Sequence, residues 1–252
     1  MADVAGILLA AGQGSRLGQP KALIMLGGQS LARRGIAMLR AGGADPVIVV
    51  TGAAGPGQLG PGPDASAGPG PDDTAGPGPD ASAGPGPDDT AGPGPDDTAG
   101  PGPDDTARPG PDDTAVRTVH NPNWRTGMGS SLAAGLAAIP ERCSAAVVAL
   151  ADQPLVGAAA VGRLIAAHAA GAGVAVSCYD GRPRNPVLIS REHWAEVIAL
   201  AAGDVGARPF LRAHPELVTQ VECGDTGRPD DVDTLDDLSR VERLLAEAAT
   251  FP

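Results

Sequence analysis

The predicted fold depends most on the stretch Ile7-Leu-Leu-Ala-Ala-Gly-Gln-Gly-Ser-Arg-Leu-Gly-Gln-Pro-Lys21. An apolar run stops abruptly there, in a loop with glycines at positions 12, 14 and 18. Arg16 and Lys21 belong to the same loop. Glycines let backbone N–H groups approach a ligand closely, and a concave row of amides beside two cations suits a polyphosphate. The stretch therefore predicts a strand followed by a phosphate-binding loop. An ordinary glycine-rich turn between a strand and a helix is the alternative.

Two common nucleotide-binding loops do not fit this spacing. No Gly-Lys-Ser/Thr sequence closes the loop, as a Walker loop requires. The dinucleotide fingerprint is missing as well, because Gly12-Gln-Gly14 is followed by Arg16 and Leu17 before the next glycine. The spacing therefore argues against a classical ATPase and against a typical dinucleotide-binding domain.

Short apolar runs alternate with helical patterns outside the loop. Strands are predicted at 5–10, 46–51, 116–119, 145–151, 174–178, 186–190 and 217–222, and helices at 30–41 (with Ser30 as N-cap), 130–138, 158–170, 191–201, 207–213 and from 235 to about 248. Nearly continuous apolar strands are typical of a parallel sheet that is covered on both faces. The alternation predicts a single α/β domain over residues 1–252, Rossmann-like and three-layered, with a mostly parallel sheet. Ligands of such sheets bind beyond the carboxyl ends of the strands.

Residues 60–115 interrupt this pattern. They hold seven copies of an eight-residue unit, Gly-Pro-Gly-Pro-Asp-Asp/Ala-Thr/Ser-Ala, with Arg108 in place of one glycine. Proline and glycine at this density cannot sustain a helix or a strand ladder, and the period fits neither a helical solenoid nor collagen. We predict a low-complexity, disordered insert within the domain. A calcium-binding or partner-binding repeat is the alternative.

The net charge of −12 belongs almost entirely to this insert. Its twelve aspartates and one arginine sum to −11, which leaves about −1 for the rest of the chain. A nearly neutral domain offers no general basic face to nucleic acid. No signal peptide and no apolar run of the roughly 18 residues that a membrane span needs is present. We expect a cytoplasmic protein with no nucleic-acid or membrane partner.

The cysteines and histidines do not indicate a zinc site. The three cysteines, Cys143, Cys178 and Cys223, are widely spaced and odd in number, and the four histidines do not cluster. In a cytoplasmic protein such cysteines are expected as reduced thiols, and Cys178 lies in an apolar run that predicts burial.

The residues from Leu9 to Lys21 fit the signature Leu-Ala-Ala-Gly-x-x-x-Arg-Met/Leu-Gly-x-x-Lys. The segments Gly127-Met-Gly-Ser-Ser131, Leu150-Ala-Asp-Gln-Pro154 and Asp231-Val-Asp233-Thr234 continue the same pattern. With these motifs the chain resembles the MobA-like nucleotidyltransferases, and it is most similar to their molybdenum cofactor cytidylyltransferase (MocA-like) branch. The resemblance covers nearly the whole chain outside the insert and implies the nucleotidyltransferase form of the three-layer fold.

The resemblance implies a set of nucleotide-binding and catalytic residues. Nucleotide contacts are expected from Ala10, Ala11, Gly12, Gly14, Ser15, Arg16, Lys21 and Ser130. Arg16 could fork two phosphate oxygens and Lys21 could place a charge at the α-phosphate, so these two and Asp152 are the expected catalytic residues. Asp152 and Asp233 are the expected ligands of Mg²⁺, which prefers carboxylate and phosphate oxygens. The alternatives are a solvated Lys21, a turn-capping Asp152 and a helix-capping role for Asp231-Val-Asp-Thr234.

Three further residues are expected near the acceptor substrate. Arg184 and Asn185 lie in Arg182-Pro-Arg-Asn-Pro186, which is similar to the family pattern Gly-x-x-Gly-His/Asn-Pro, although Arg184 replaces its second glycine. Arg208 ends the block Gly203-Asp-Val-Gly-Ala-Arg208. The two arginines could hold an acceptor phosphate, or they could make surface salt bridges.

The resemblance implies transfer of CMP from CTP to the terminal phosphate of molybdopterin, with release of pyrophosphate and delivery of the product to a molybdenum hydroxylase. The preference for CTP depends on Ala11, because the guanylyl branch more often has Leu-Ala-Gly-Gly at this place. Two alternatives stay open: an NAD(P)H-dependent reductase of a blue nicotine-derived pigment, and a non-catalytic carrier of the molybdenum cofactor. The missing dinucleotide fingerprint disfavours the reductase, and the pair Asp152 and Asp233 disfavours a pure carrier.

Overall fold

The computed structural model describes residues 3–55, 58–59 and 116–250, with helix side chains described as far as residue 247. The predicted insert at 60–115 lies outside the described residues. The strands of the described part are β1 (Asp3–Ala10), β2 (Met25–Leu26), β3 (Gln29–Ser30), β4 (Val47–Thr51), β5 (Arg117–His120), β6 (Cys143–Leu150), β7 (Val174–Tyr179), β8 (Arg182–Ser190) and β9 (Val218–Glu222). The helices are α1 (Leu31–Ala41), α2 (Met128–Ala137), α3 (Ala158–Ala169), α4 (Trp194–Leu200), α5 (Arg208–Ala213) and α6 (Leu235–Thr250).

Seven of these strands form one mostly parallel sheet, in the order β5-β4-β1-β6-β8-β7-β9. β8 is the exception, since it runs antiparallel to both β6 and β7. The short strands β2 and β3 pair separately as an antiparallel hairpin. This confirms the predicted α/β fold with a mostly parallel sheet.

The core consists of two layers, one on each face of the sheet. Successive residues of β1 alternate between them: Leu8 packs with α1 and α3, whereas Ile7 packs with α2, α4 and α5. Because both faces are covered, the central strands are apolar along nearly their whole length, as the sequence indicated. A smaller cluster packs α6 against the β2–β3 hairpin through Val241, Leu26 and Leu31.

Two polar caps set where helices begin. The Ser30 hydroxyl accepts a hydrogen bond from the backbone N–H of Arg33 at 3.3 Å, which confirms the predicted N-cap of α1. At the start of α6, the N–H of Asp237 donates to Thr234 Oγ1 at 3.2 Å, while the N–H of Thr234 donates to Asp237 Oδ2 at 3.0 Å. This reciprocal capping box confirms that Thr234 caps the last helix.

Two predicted elements differ from the observed ones by more than two residues at one end. The helix expected at 191–201 is a 3₁₀ turn, Arg191–His193, followed by α4. β8 starts at Arg182 rather than at residue 186, because beyond its pairing with β6 it continues as a hairpin with β7 across an irregularity after Val176. The prediction missed this hairpin because Pro183 and Pro186 argue against a strand interior.

The register of the central strands positions the site. β1 and β6 are parallel neighbours with Leu9 opposite Leu150, so Ala10 and Asp152 follow at the same edge of the sheet. The N–H of Ala151 donates to the carbonyl of Leu9 at 3.1 Å and continues the pairing past the end of β6. No helix in the described part of the chain is long and apolar enough to cross a membrane.

Candidate active site

Lys21 lies between two carboxylates at the carboxyl edge of the sheet. Its Nζ is 2.7 Å from Asp152 Oδ2 and also donates to Asp233 Oδ1. These residues are 131 and 212 positions apart from Lys21 in the chain. The structure therefore joins the glycine-rich loop, the end of β6 and the segment before α6 in one polar cluster.

The backbone around Asp152 holds the segment that carries Asp233. The N–H of Val232 donates to the carbonyl of Asp152 at 2.8 Å. Next to it, the buried side chain of Gln153 donates to Asp231 Oδ1 at 2.9 Å. Asp230 is fixed by Arg228 and Arg240, with N···O distances of 2.9 and 2.6 Å. Asp233 is thus placed by its neighbours, and its own side chain stays 49% exposed.

The charges of this cluster act on each other. Burial opposes the charged form of Lys21, but the charge and hydrogen bond of Asp152 and those of Asp233 outweigh burial and raise the pKa of Lys21. Desolvation and the negative charges of Asp152 and Asp233 raise the pKa of Asp231, against the hydrogen bond from Gln153 and the charge of Lys21. The cluster has more carboxylates than Lys21 alone can neutralise, which favours a further cation.

A cleft of about 530 Å³ opens beside this cluster. It lies between the glycine-rich loop, the end of β6, the N-terminus of α2 and the 3₁₀ turn at Gly203–Val205. Its lining residues are Leu9, Ala10, Ala11, Gly12, Gln13, Lys21, Trp124, Arg125, Gly127, Met128, Ser131, Leu150, Ala151, Asp152 and Asp204. The cleft lies where a doubly covered parallel sheet is expected to bind its ligand.

The structure brings about half of the predicted nucleotide-binding residues to this cleft. Ala10, Ala11, Gly12 and Lys21 line it, and the N–H of Lys21 donates to the carbonyl of Gly12 at 3.2 Å. Ser15 and Arg16 are exposed on the same loop, outside the lining.

Gly14 is buried in the turn of the loop rather than in the cleft wall. Its φ is +62°, and a Cβ there would lie 2.1 Å from the carbonyl oxygen of Gln19. A side chain at this position would therefore break the turn that returns the chain to Lys21.

Ser130 is occupied by contacts within the protein. Its hydroxyl lies 2.9 Å from the carbonyl of Gly127 and 3.0 Å from that of Asn123, and it accepts from Asn121 Nδ2 at 2.8 Å. Asn121, only 4% exposed, also donates to the hydroxyl of Ser131 at 3.0 Å. Of the two serines, Ser131 lines the cleft, and Asn121 braces the start of α2 through both.

The residues expected near the acceptor lie at the same edge of the sheet but outside the cleft lining. Arg184 is exposed and pairs with Ser177 where β8 passes the end of β6, and Asn185 follows it. Because β7 is parallel to β6, this hairpin lies at the carboxyl edge. Arg208 is exposed at the start of α5, three residues after the end of the turn that carries Asp204.

The sequence did not single out three side chains of the cleft. Trp124 and Arg125 follow the predicted β5, and the Arg125 guanidinium lies 4.6 Å from the centre of the Trp124 ring. Asp204 belongs to the block from which Arg208 was chosen, and its Oδ1 accepts from the N–H of Met128 at 3.3 Å. An aromatic residue shortly before a Gly-Met-Gly-Ser-Ser helix start is a signal that could have indicated Trp124.

The two carboxylates around Lys21 suit a divalent metal ion whose remaining ligands would be phosphate oxygens of a bound nucleotide. In the described part of the chain, no group of three or more histidine, cysteine, aspartate or glutamate side chains could hold a metal alone. Asp152 Oδ1, however, is buried without a hydrogen-bond partner among the described residues. A buried unpaired carboxylate oxygen is costly unless a cation or donor reaches it. With Asp233 nearby, it supplies the hard oxygen donors that Mg²⁺ or Mn²⁺ prefers, and bound phosphates would complete the ligands.

Comparison with known proteins shows to which family the chain is similar. Residues 6–84 and 98–218 match the MobA-like NTP transferase domain. The chain is 31% identical over 245 residues to nicotine blue oxidoreductase of Paenarthrobacter nicotinovorans, which covers 94% of this chain and 96% of that protein. A shorter match, 45% identical over 47 residues, is to a probable molybdenum cofactor guanylyltransferase of Opitutus terrae and covers 19% of this chain and 23% of that protein.

A solved structure supports the fold over nearly the full length. The homologue of Mycobacterium tuberculosis Rv0371c from Mycobacterium sp. strain JC1 superposes with a TM-score of 0.66 at 26% identity, covering 97% of this chain and 98% of that chain. Because both chains are covered almost completely, the agreement extends beyond the glycine-rich loop.

Proposed function

The chain belongs to the MobA-like NTP transferase domain family, and we propose that it transfers CMP from CTP to the terminal phosphate of a molybdopterin-type acceptor. The observation that carries this proposal is the position of Lys21 between Asp152 and Asp233, beside the backbone of Ala10–Gly12 in an open cleft. A cation and two carboxylates at the mouth of a glycine-lined cleft match the needs of a triphosphate and its divalent metal.

We propose that binding and positioning carry most of the catalysis. The backbone of Ala10–Gly12 would contact the nucleotide, and Lys21 would leave the carboxylates to reach the α-phosphate. Arg16, exposed on the same loop, would fork phosphate oxygens from outside the cleft. A phosphate oxygen of the acceptor then bonds to the α-phosphorus while the bond from that phosphorus to the bridging oxygen breaks, and pyrophosphate leaves. No protein nucleophile is required.

Asp152 and Asp233 are the residues that would hold Mg²⁺. When bound there, the metal would supply charge neutralisation for the triphosphate. Asp152 contributes its unpaired Oδ1, and Asp233 contributes a carboxylate that is half exposed to incoming ligand. Gln153 and the backbone of Val232 keep the two carboxylates facing each other.

The proposed preference for CTP depends on Ala11. The proposed acceptor site depends on residues of the β7–β8 hairpin and on the start of α5. Ala11 lines the cleft. The exposed Arg184 and Asn185, together with Arg208, would bind the acceptor phosphate at the carboxyl edge of the sheet. A molybdenum hydroxylase would receive the product. The short match to a guanylyltransferase makes GTP the donor to test against CTP.

The test is pyrophosphate release with Mg²⁺ and molybdenum-loaded molybdopterin, with CTP, GTP, ATP and UTP in parallel. We expect release with CTP. Asp152→Ala should lower the rate at least about 100-fold, a typical cost of removing a group that stabilises transition-state charge. Glu141→Gln is the matched control, because Glu141 is exposed at the opposite edge of the sheet, just before β6. Full activity of Asp152→Ala would contradict the metal assignment. Release of pyrophosphate with GTP but not with CTP would show that GTP is the nucleotide donor.

A reductase is the second candidate, favoured by the 31% identity to nicotine blue oxidoreductase over 94% of this chain. Its test is oxidation of NADH or NADPH with the blue pigment as acceptor, followed at 340 nm with and without EDTA. Turnover that persists in EDTA, without pyrophosphate release, would favour the reductase. Binding of the molybdenum cofactor without turnover in either assay would favour the non-catalytic carrier.

A further inference from the structure

Two groups of residues in the cleft lining differ in chemistry. Lys21 offers an ammonium beside the backbone of the glycine-rich loop. The second group comprises Trp124, Arg125, Met128, Ser131 and Asp204. The first group suits phosphates, whereas the second combines an aromatic ring and a thioether with polar side chains, as pockets for flat organic groups often do.

Asp204 occupies the N-terminus of α2, which would otherwise be a good place for a phosphate. Its Oδ1 accepts from the N–H of Met128, the first residue of that helix. A carboxylate there uses the favourable end of the helix dipole and repels a second anion. This arrangement favours a triphosphate at Lys21 over one at Asp204.

The chain fixes Asp204 in this place. The segment before it packs tightly on α2, since a Cβ on Gly129 would lie 1.9 Å from the carbonyl oxygen of Ala201. The 3₁₀ turn Gly203–Val205 then carries Asp204 over the first turn of the helix. The position of this exposed carboxylate thus follows from backbone packing and from its hydrogen bond to Met128.

We propose that Asp204 selects the nucleobase by accepting a hydrogen bond from its exocyclic amino group; this inference rests on the proposed nucleotidyl transfer. An ionised carboxylate only accepts hydrogen bonds, and one contact to Met128 leaves it with free acceptor sites. Cytosine and guanine carry amino groups that can donate to it, whereas uracil presents a carbonyl oxygen at the place of the cytosine amino group. Trp124 and Arg125 supply the neighbouring flat surface against which a base can stack.

The experiment is calorimetric binding of CTP and UTP, and of GTP and ITP, to the full-length protein, since each pair differs by an amino group. We expect the amino-bearing nucleotide of the preferred pair to bind about 10-fold more tightly, because a hydrogen bond to an ionised carboxylate is stronger than one between neutral groups. Asp204→Asn should reduce this ratio to about 3-fold or less, because an amide can also donate to a carbonyl oxygen. Asp204→Ala should also reduce it, and Glu141→Gln should leave it unchanged.

The variants separate selectivity from folding and from the proposed function. Asparagine caps a helix about as well as aspartate, so Asp204→Asn keeps the start of α2 intact. An unchanged ratio in both variants, or a wild-type protein that binds both members of each pair equally, would overturn the proposed role of Asp204. Neither outcome would contradict the proposed nucleotidyl transfer. Failure of the wild-type protein to bind any of the four nucleotides would contradict the proposed function and this inference with it.

Discussion

Lys21 bonds to the same two carboxylates that the proposed reaction assigns to a metal. With its Nζ 2.7 Å from Asp152 Oδ2 and also bonded to Asp233, the ammonium neutralises part of their charge in this arrangement. A metal ion and the ammonium would compete for the charge of the same two carboxylates, so a phosphate that attracts Lys21 would also free them. At the residue scale, this arrangement would couple nucleotide binding to metal binding.

This coupling predicts that Lys21→Met strengthens metal binding in the absence of nucleotide. Loss of the competing ammonium should tighten Mn²⁺ binding by about 10-fold, a factor that corresponds to about 1.4 kcal/mol. The measurement is free Mn²⁺ by electron paramagnetic resonance during titration of the nucleotide-free protein. Lys21→Arg keeps the charge and serves as the control, with little expected change. Equal or weaker binding by Lys21→Met would show that Lys21 and the metal do not compete for these carboxylates.

The residues of this cluster were predictable from the sequence, but their neighbours were not. Lys21, Asp152 and Asp233 each lie in a short motif at the end of a strand or the start of a helix, where chain order already places them at the carboxyl edge. Ser131 and Asp204 lie in segments that the sequence marks, but neither segment indicates that the two meet. Their proximity depends on how α2 packs against the turn at Gly203–Val205, and a contact between residues 76 positions apart cannot be predicted from local pattern.

At the scale of elements, α2 is the helix whose position matters most for the cleft, and a pair of glycines tests how it is held. A Cβ at Gly129 would lie 1.9 Å from the Ala201 carbonyl oxygen, whereas a Cβ at Gly162 in α3 would meet nothing closer than 3.6 Å. Gly129→Ala should lower the free energy of unfolding by about 2 kcal/mol or more, because backbone must move. Gly162→Ala should raise it by about 0.5–1 kcal/mol through helix propensity. Urea unfolding measures both changes. Changes of the same sign in the two variants would contradict this packing.

The burial of Tyr179, at the end of β7, can be tested through the pH dependence of the free energy of unfolding. Tyr179 is 5% exposed, and desolvation together with the charge of Cys223 raises its pKa to about 12. An unfolded chain releases this proton near pH 10, and the folded chain holds it until about pH 12. The free energy of unfolding should therefore fall by about 2–3 kcal/mol as the pH rises through this window.

Urea unfolding at pH 9.5 and 11.5 measures this loss, and Tyr179→Phe is its control. The variant keeps the aromatic ring but removes the titrating hydroxyl, so this component of the decline should disappear. The cysteines and Lys21 titrate in both proteins and cancel in the comparison. An identical decline in the two proteins would assign the alkaline loss of stability to other groups.

The elements themselves differ in how well sequence predicted them. Strands β1, β4 and β6 were predicted closely because they are apolar along nearly their whole length and are followed within two residues by glycine or aspartate. β8 was predicted too short, since its first half is exposed and contains Pro183. This half pairs with β7 across the two-residue turn Asp180-Gly181, a local hairpin signal that the prediction did not use.

At the scale of the whole molecule, the sheet is complete on both sides of the sequence insert. β5 pairs in parallel with β4, with Thr51 opposite His120. Leu59 and Val116, which flank residues 60–115, both pack against the core on the face of α1 and α3. The fold thus fixes the chain immediately before and after the insert through the same apolar layer.

This anchoring predicts that residues 60–115 can be replaced by a four-residue Gly-Ser linker. With residues 52–59 and 116 kept, the crossover from β4 to β5 retains about a dozen residues, the minimum for a parallel connection. We expect the melting temperature to change by less than about 3 °C and nucleotide binding by less than about 2-fold, since loop-closure entropy varies slowly with length. A variant with the insert aspartates changed to serine separates the loss of charge from the loss of length. A drop of about 10 °C on replacement, absent from the serine variant, would show that the repeat contributes to the folded domain.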